Sequence, residues 1–149
     1  MTLSPQSPRG VSLATQFTSS TLGTQRLNEI SGEIIDAAMA VHSALGPGLM
    51  ERIYEICLQQ ELKQRGLKVK TQIQLPVHYN GLTLDSGYRL DVLVEDAIIV
   101  ELKSVDKLQP IHQAQLLTYL KLANKSLGLL INFNTVHLKD GIKRMVHRL

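Results

Sequence analysis

Two short apolar runs, Leu90-Asp91-Val92-Leu93-Val94 and Ile98-Ile99-Val100-Glu101-Leu102-Lys103, carry charges in what reads as the interior of strands. Burying an ionised group is costly unless it is paired, hydrated at a cleft or bound to a cation. Asp91, Glu101 and Lys103 therefore restrict how these runs can be arranged. Side chains alternate across a strand, so the hairpin register decides which of them share a face. Joined by an odd loop, Glu95-Asp96-Ala97, the runs place Asp91 opposite Glu101, with Lys103 two residues further on the same side. Leu90, Val92, Val94, Ile98, Val100 and Leu102 then form one apolar face. A two-residue loop would scatter the acids over both faces and break that apolar surface, so burial selects the register that brings the carboxylates together. Like charges opposed on paired strands repel. A divalent cation between them would relieve the repulsion; the alternative is a solvated face carrying ordinary charges.

The 149 residues fit a single domain. Residues 1–25, rich in Ser and Thr with Pro5 and Pro8 and without an acid, read as a disordered N-terminal extension with a faint transit-peptide character; residues 26–149 read as the folded domain. A single cysteine, Cys57, excludes an internal disulfide framework and a cysteine-based zinc site. It lies among Ile53, Tyr54, Leu58 and Leu62, as a buried inert thiol would, and a reducing, cytoplasmic setting is expected. No apolar run approaches the roughly 20 residues needed to cross a bilayer, so a membrane partner is not expected. The net charge of +3 leans toward polyanions.

From Leu27 the apolar positions Leu27, Ile30, Ile34, Ala37, Ala38, Val41 and Leu45 recur at three- and four-residue steps, which predicts a helix ended by Gly46-Pro47-Gly48. A second helix is expected over about Leu49–Arg65, with Gly66 as its cap. Val69–Tyr79 reads as extended, Asn80-Gly81 as a hairpin turn, and Leu82–Leu84 as a return strand that Asp85-Ser86-Gly87 interrupts before the Asp91 strand. Pro110 opens a third helix reaching about Ala123. Leu127–Phe133 suits a central strand, and Ile142–Val146 a short edge element. This order makes an α/β fold, with helices packed around a mixed sheet whose antiparallel meander gains a parallel strand through the helical crossover.

Glu51 points in almost the same direction as Leu58 and Leu62 on the second helix and so faces inward at the first turn. The competing explanation is the general preference of acids for first turns, where unpaired amides and the helix dipole attract them. On the third helix His112, Gln115 and Tyr119 share one side, while Leu116, Leu117, Leu120 and Leu122 pack elsewhere. Amide and phenol groups on one face can position a phosphate or a water, or serve as surface hydrogen-bonders. His42, His78, His137 and His147 show no zinc or triad spacing, and a serine nucleophile elbow and a phosphate-binding glycine loop are absent.

Asp91, nine residues, then Glu101-x-Lys103 resembles the split motif of the PD-(D/E)XK nuclease superfamily. Gln115-x-x-x-Tyr119 is similar to the QxxxY element of its exonuclease-type branch, and Gly48-x-x-Glu51-x-x-Tyr54 resembles the signature of the GxxExxY proteins. Leu90 stands at the position that the superfamily motif names as proline, a position without chemistry. The resemblance runs from about Leu27 to the C-terminus. It implies a restriction-endonuclease-like three-layer core, a central mixed β-sheet flanked by helices. It further implies hydrolysis of phosphodiester bonds in nucleic acid, DNA ahead of RNA, with Mg²⁺ or substituting Mn²⁺. The metal ligands implied are Asp91, Glu101, the Leu102 carbonyl and Glu51. Lys103, with Gln115 and Tyr119, would serve catalysis. Lys139, Lys143 and Arg144 would hold flanking phosphates by charge, against the alternative of a solvated basic terminus. A homodimer or an accessory protein is the protein partner to consider. The competing functions are a noncatalytic nucleic-acid-binding or accessory module that keeps the fold, and a phosphodiesterase for a small nucleotide.

Overall fold

The computed structural model describes residues 22–149. The extension expected over residues 1–25 therefore lies almost wholly outside the described residues. Helix α1 (Thr24–Leu45) starts two residues ahead of the expected domain boundary. Its buried side chains, Leu27, Ile30, Ile34, Ala37, Ala38 and Val41, follow the predicted stripe. The helix stops at Gly46, whose φ of 72° only glycine adopts freely and whose N–H donates to His42 O at 2.7 Å. Helix α2 (Glu51–Gln64) follows and turns off at Gly66. Tyr54, Leu58 and Leu62 are buried as expected, whereas Ile53 is exposed.

Strands β1 (Val69–Tyr79) and β2 (Leu82–Val94) form a hairpin through Asn80 and Gly81, both at positive φ, as the Asn-Gly pair predicts. Asp85-Ser86-Gly87 does not interrupt the return strand, contrary to expectation. Pairing resumes across it, from Leu75↔Tyr88 to Val77↔Leu84, so residues 85–87 bulge opposite Pro76 alone. Proline lacks the N–H that the ladder would otherwise require there, and a bulge absorbs surplus residues without ending a strand.

Strand β3 (Ile98–Lys103), helix α3 (Pro110–Ala123), strand β4 (Leu127–Asn132), a 3₁₀ turn (Leu138–Gly141) and strand β5 (Ile142–Val146) complete the chain. The five strands lie in sequence order; β3 and β4 are parallel and every other neighbouring pair is antiparallel. The crossover through α3 is what permits that one parallel pair.

Helices cover the sheet on both sides. α1 and α2 pack on Val92, Val94, Ile98, Val100, Leu102, Leu127, Leu129 and Ile131. α3 packs through Leu116, Tyr119, Leu120 and Ala123 on Ile73, Leu75, Leu93, Ile99 and Leu130. The result is the expected α/β three-layer core. Burial of Leu93 and Ile99 also removes the alternative of a solvated charged face. Leu90 departs from the expected apolar face and joins the α3 side. Strict alternation fails next to it: Thr71↔Val92 and Ile73↔Leu90 are paired, but Gln72, opposite Asp91, has φ 53°. Among the described residues no helix is long and apolar enough to cross a membrane.

Candidate functional site

The hairpin between β2 and β3 has the three-residue loop that burial required, with Val94↔Ile98, Leu93↔Ile99 and Val92↔Val100 paired. Ladder pairing ends there. One step further Asp91 and Glu101 face each other and their carboxylates take over the backbone amides. Asp91 N–H donates to Glu101 Oε1 at 3.0 Å, and Leu102 N–H donates to Asp91 Oδ2 at 2.9 Å. The amide and carbonyl of a strand residue point the same way, so the Leu102 carbonyl also turns toward this gap. Lys103 O, by contrast, accepts from Phe133 N–H on the β4 side.

Burial pushes the Glu101 carboxyl well above its ordinary value, and the charge of Asp91 adds to it. Burial also raises Asp91, against the opposing pull of the Leu102 amide and of Lys103. Each acid thus feels the other's carboxyl directly. Glu51 at the start of α2 is raised too, first by burial and then by Asp91, while Lys103 pulls it down. Glu51 thus feels the charges of Asp91 and Lys103, and Glu101 feels the same two groups.

The loop before α2 explains how Glu51 is held. Tyr54 is buried and its hydroxyl donates to Gly46 O at 2.6 Å and accepts from Leu49 N–H at 3.1 Å. Its ring stacks on Phe133, 4.5 Å between centroids. Ser104 Oγ donates to Leu49 O at 2.6 Å, which ties the same loop to the residue after Lys103. Asn132, paired with Lys103 in the parallel register, holds the onward chain by bonds to the N–H and C=O of Val105.

A second acid, Glu55, escaped the sequence reading. It is 4% exposed, both of its carboxylate oxygens accept from Gln72 Nε2 at 2.9 Å, and it meets Arg52 at 3.2 Å. Glu51, Arg52, Glu55, Gln72, Arg89 and Asp91 line one open cleft. The four-residue step from Glu51 to Glu55 was the only signal available in the sequence.

Tyr119 is buried with Leu116 and Leu120, not apart from the leucines as expected. Burial, then Glu101, pushes its phenol up to about 12. Gln115 is half-buried one turn earlier. His112 serves as a helix cap, its Nδ1 accepting from Gln109 N–H at 3.0 Å. The three basic residues proposed for phosphates do not form one patch. Lys143 lines a cleft with Asp106, Lys107 and Asn132, and Lys139 lines another with His42 and His137. Arg144 donates to Asn28 on α1 at 2.8 Å, because adjacent strand residues face opposite sides.

A family model described as the PD-(D/E)XK nuclease superfamily matches residues 28–145. The chain belongs to the PD-(D/E)XK nuclease superfamily. Its members are in general phosphodiester-hydrolysing nucleases, and the three-layer mixed sheet is the restriction-endonuclease-like fold expected of one. Neither a curated protein nor a solved structure matches the chain.

The donor set of this superfamily member suits a hard dication. Two facing carboxyls beside a strand carbonyl offer only oxygen, and a cation between them would offset their mutual repulsion. Among the described residues no three His, Cys, Asp or Glu side chains gather into a cage. Glu51 therefore does not close a three-acid cluster with the pair.

Proposed function

We propose that this chain is a Mg²⁺-dependent nuclease, with Mn²⁺ as substitute, that hydrolyses phosphodiester bonds in nucleic acid, DNA ahead of RNA. The observation that carries the reading is the Asp91–Glu101 pair where the β2–β3 ladder ends, Glu101 accepting from Asp91 N–H and Asp91 from Leu102 N–H, with Lys103 two residues beyond Glu101. Asp91, Glu101 and the Leu102 carbonyl would hold the ion, and Glu51 would reach it through bound water. When bound, the ion polarises the phosphate and stabilises the leaving oxygen.

The chain's own residues do the rest. Lys103 orients the attacking water and offsets charge that builds on the phosphoryl oxygens. Tyr119, whose phenol stays protonated at neutral pH, donates a hydrogen bond toward the same place. Gln115 positions water or backbone from the same helix face. Lys143, with Lys107, holds flanking phosphates by charge, and Lys139 does so from its own separate cleft; Arg144, engaged by Asn28, contributes less. Gly48 at φ 97°, Glu51 beside the acid pair and Tyr54 clamping the loop between them support placing the chain with the GxxExxY proteins. The single, free Cys57 supports a reducing, cytoplasmic setting.

The test is a panel of single- and double-stranded DNA and RNA incubated with Mg²⁺ or Mn²⁺. Wild type should cut at least one substrate, chelator should stop cutting, and Asp91→Ala and Lys103→Ala should abolish it while circular dichroism stays native. Binding without cutting under every metal condition would assign the chain to the noncatalytic module instead.

A further inference from the structure

Next to the acid pair, β2 sends two consecutive side chains to opposite sides of the sheet. Tyr88 pairs with Leu75 and lies on the α3 side, where its ring meets that of Tyr119 at 6.1 Å between centroids, tilted by 55°. Tyr119 is anchored in the core, so it braces Tyr88 from within. Tyr88 as a residue nevertheless remains 48% exposed. Arg89 lies on the other side, along the cleft that holds Glu51 and Asp91. Among the described residues Arg89 enters no salt bridge, whereas Arg52 in the same cleft is engaged by Glu55.

A braced aromatic ring with a free face is a stacking surface for a base, and an unengaged guanidinium is a ligand for phosphate. A base inside a duplex already has both faces covered by its neighbours, so only an unpaired base can use such a ring without first being unstacked. We propose that Tyr88 stacks an unpaired base beside the reacting phosphate and that Arg89 holds a neighbouring phosphate, so that the substrate is a single strand or a frayed end and not an intact duplex. This rests on the nuclease reading and adds the substrate class to it.

Fluorescence anisotropy with a labelled oligonucleotide, single-stranded or annealed into a blunt duplex, with Ca²⁺ in place of Mg²⁺, tests the idea. Wild type should bind the single strand at least about tenfold more tightly than the duplex. Tyr88→Ala should weaken the single strand about tenfold and leave the duplex nearly unchanged, and Tyr88→Phe should bind like wild type. Arg89→Ala should weaken both and reduce the dependence of affinity on salt. If Tyr88→Ala does not fold, Tyr88→Leu, which keeps apolar bulk against Tyr119 without a ring, carries the same expectation. Equal affinity for the two forms, or no loss on removal of the ring, overturns the proposal and leaves the nuclease reading standing. Failure of wild type to bind any nucleic acid removes both.

Discussion

Glu101 is where stability and chemistry oppose each other. Its folded-state pKa is raised, so between the ordinary carboxylate value and the raised one the native state holds a proton that the unfolded chain does not. Metal-free stability must then fall as pH climbs through that window and level off above it. Thermal unfolding in chelator should show a lower Tm at about pH 8 than at about pH 5. Glu101→Gln, which needs no ionisation, should flatten much of that slope and be more stable than wild type by about 1–2 kcal/mol at the higher pH. Mg²⁺ should raise the wild-type Tm more at the higher pH, because protons compete for its ligands. A pH-independent Tm, or a glutamine variant weaker than wild type at high pH, would count against the paired-acid site. Asp91, Glu101 and Lys103 were legible at this scale because charge inside an apolar run stands out. Glu55 was not: a helix acid looks like any other until β1 brings Gln72 over it.

Among the elements, the turn between α1 and α2 has the most to do with the site, because it sets where Glu51 begins its helix. Ser104 Oγ holds Leu49 O from the strand side, while from the helix side the turn is held by the Tyr54 hydroxyl, which accepts from Leu49 N–H and donates to Gly46 O. Tyr54→Phe keeps the stacking on Phe133 and removes only the two bonds of that hydroxyl. It should cost about 1–2 kcal/mol in denaturant unfolding. Cleavage should fall more than stability alone explains, because Glu51 loses its fixed position; full activity in Tyr54→Phe would show that the turn needs no such clamp. The hairpins followed from local rules, Asn80-Gly81 for one and the parity of the apolar runs for the other. The continuity of β2 did not, since the bulge opposite Pro76 is bridged only by the pairings on either side of it, Val77↔Leu84 and Leu75↔Tyr88, which the partner strand supplies.

At the scale of the whole molecule, one buried charge joins the two halves of the sheet. Lys125, 1% exposed between α3 and β4, reaches Asp96 Oδ1 in the β2–β3 loop at 3.6 Å. Burial lowers the lysine's pKa, and Asp96 acts against that shift. Removing one member of such a pair leaves a buried charge without its counter-ion, while replacing both with apolar groups can be nearly neutral. Asp96→Ala should therefore destabilise by about 2 kcal/mol or more, and the Asp96→Ala, Lys125→Met double variant should recover most of the loss. Additive losses from the two single changes would show that the pair is not coupled.

Alone, the amino-acid order determined the elements, the register of the β2–β3 hairpin and the acids it brings together, because each of these rests on periodicity or on the cost of burying charge. Tertiary structure alone decided the rest. Packing of β1 against α2 buried Glu55 under Gln72, the opposite faces of β5 separated Lys143 from Arg144, and Leu90, next to the irregular pairing of Gln72 and Asp91, joined the other core. These outcomes depend on contacts between residues far apart in the chain, and no local pattern encodes which distant neighbour a side chain will meet.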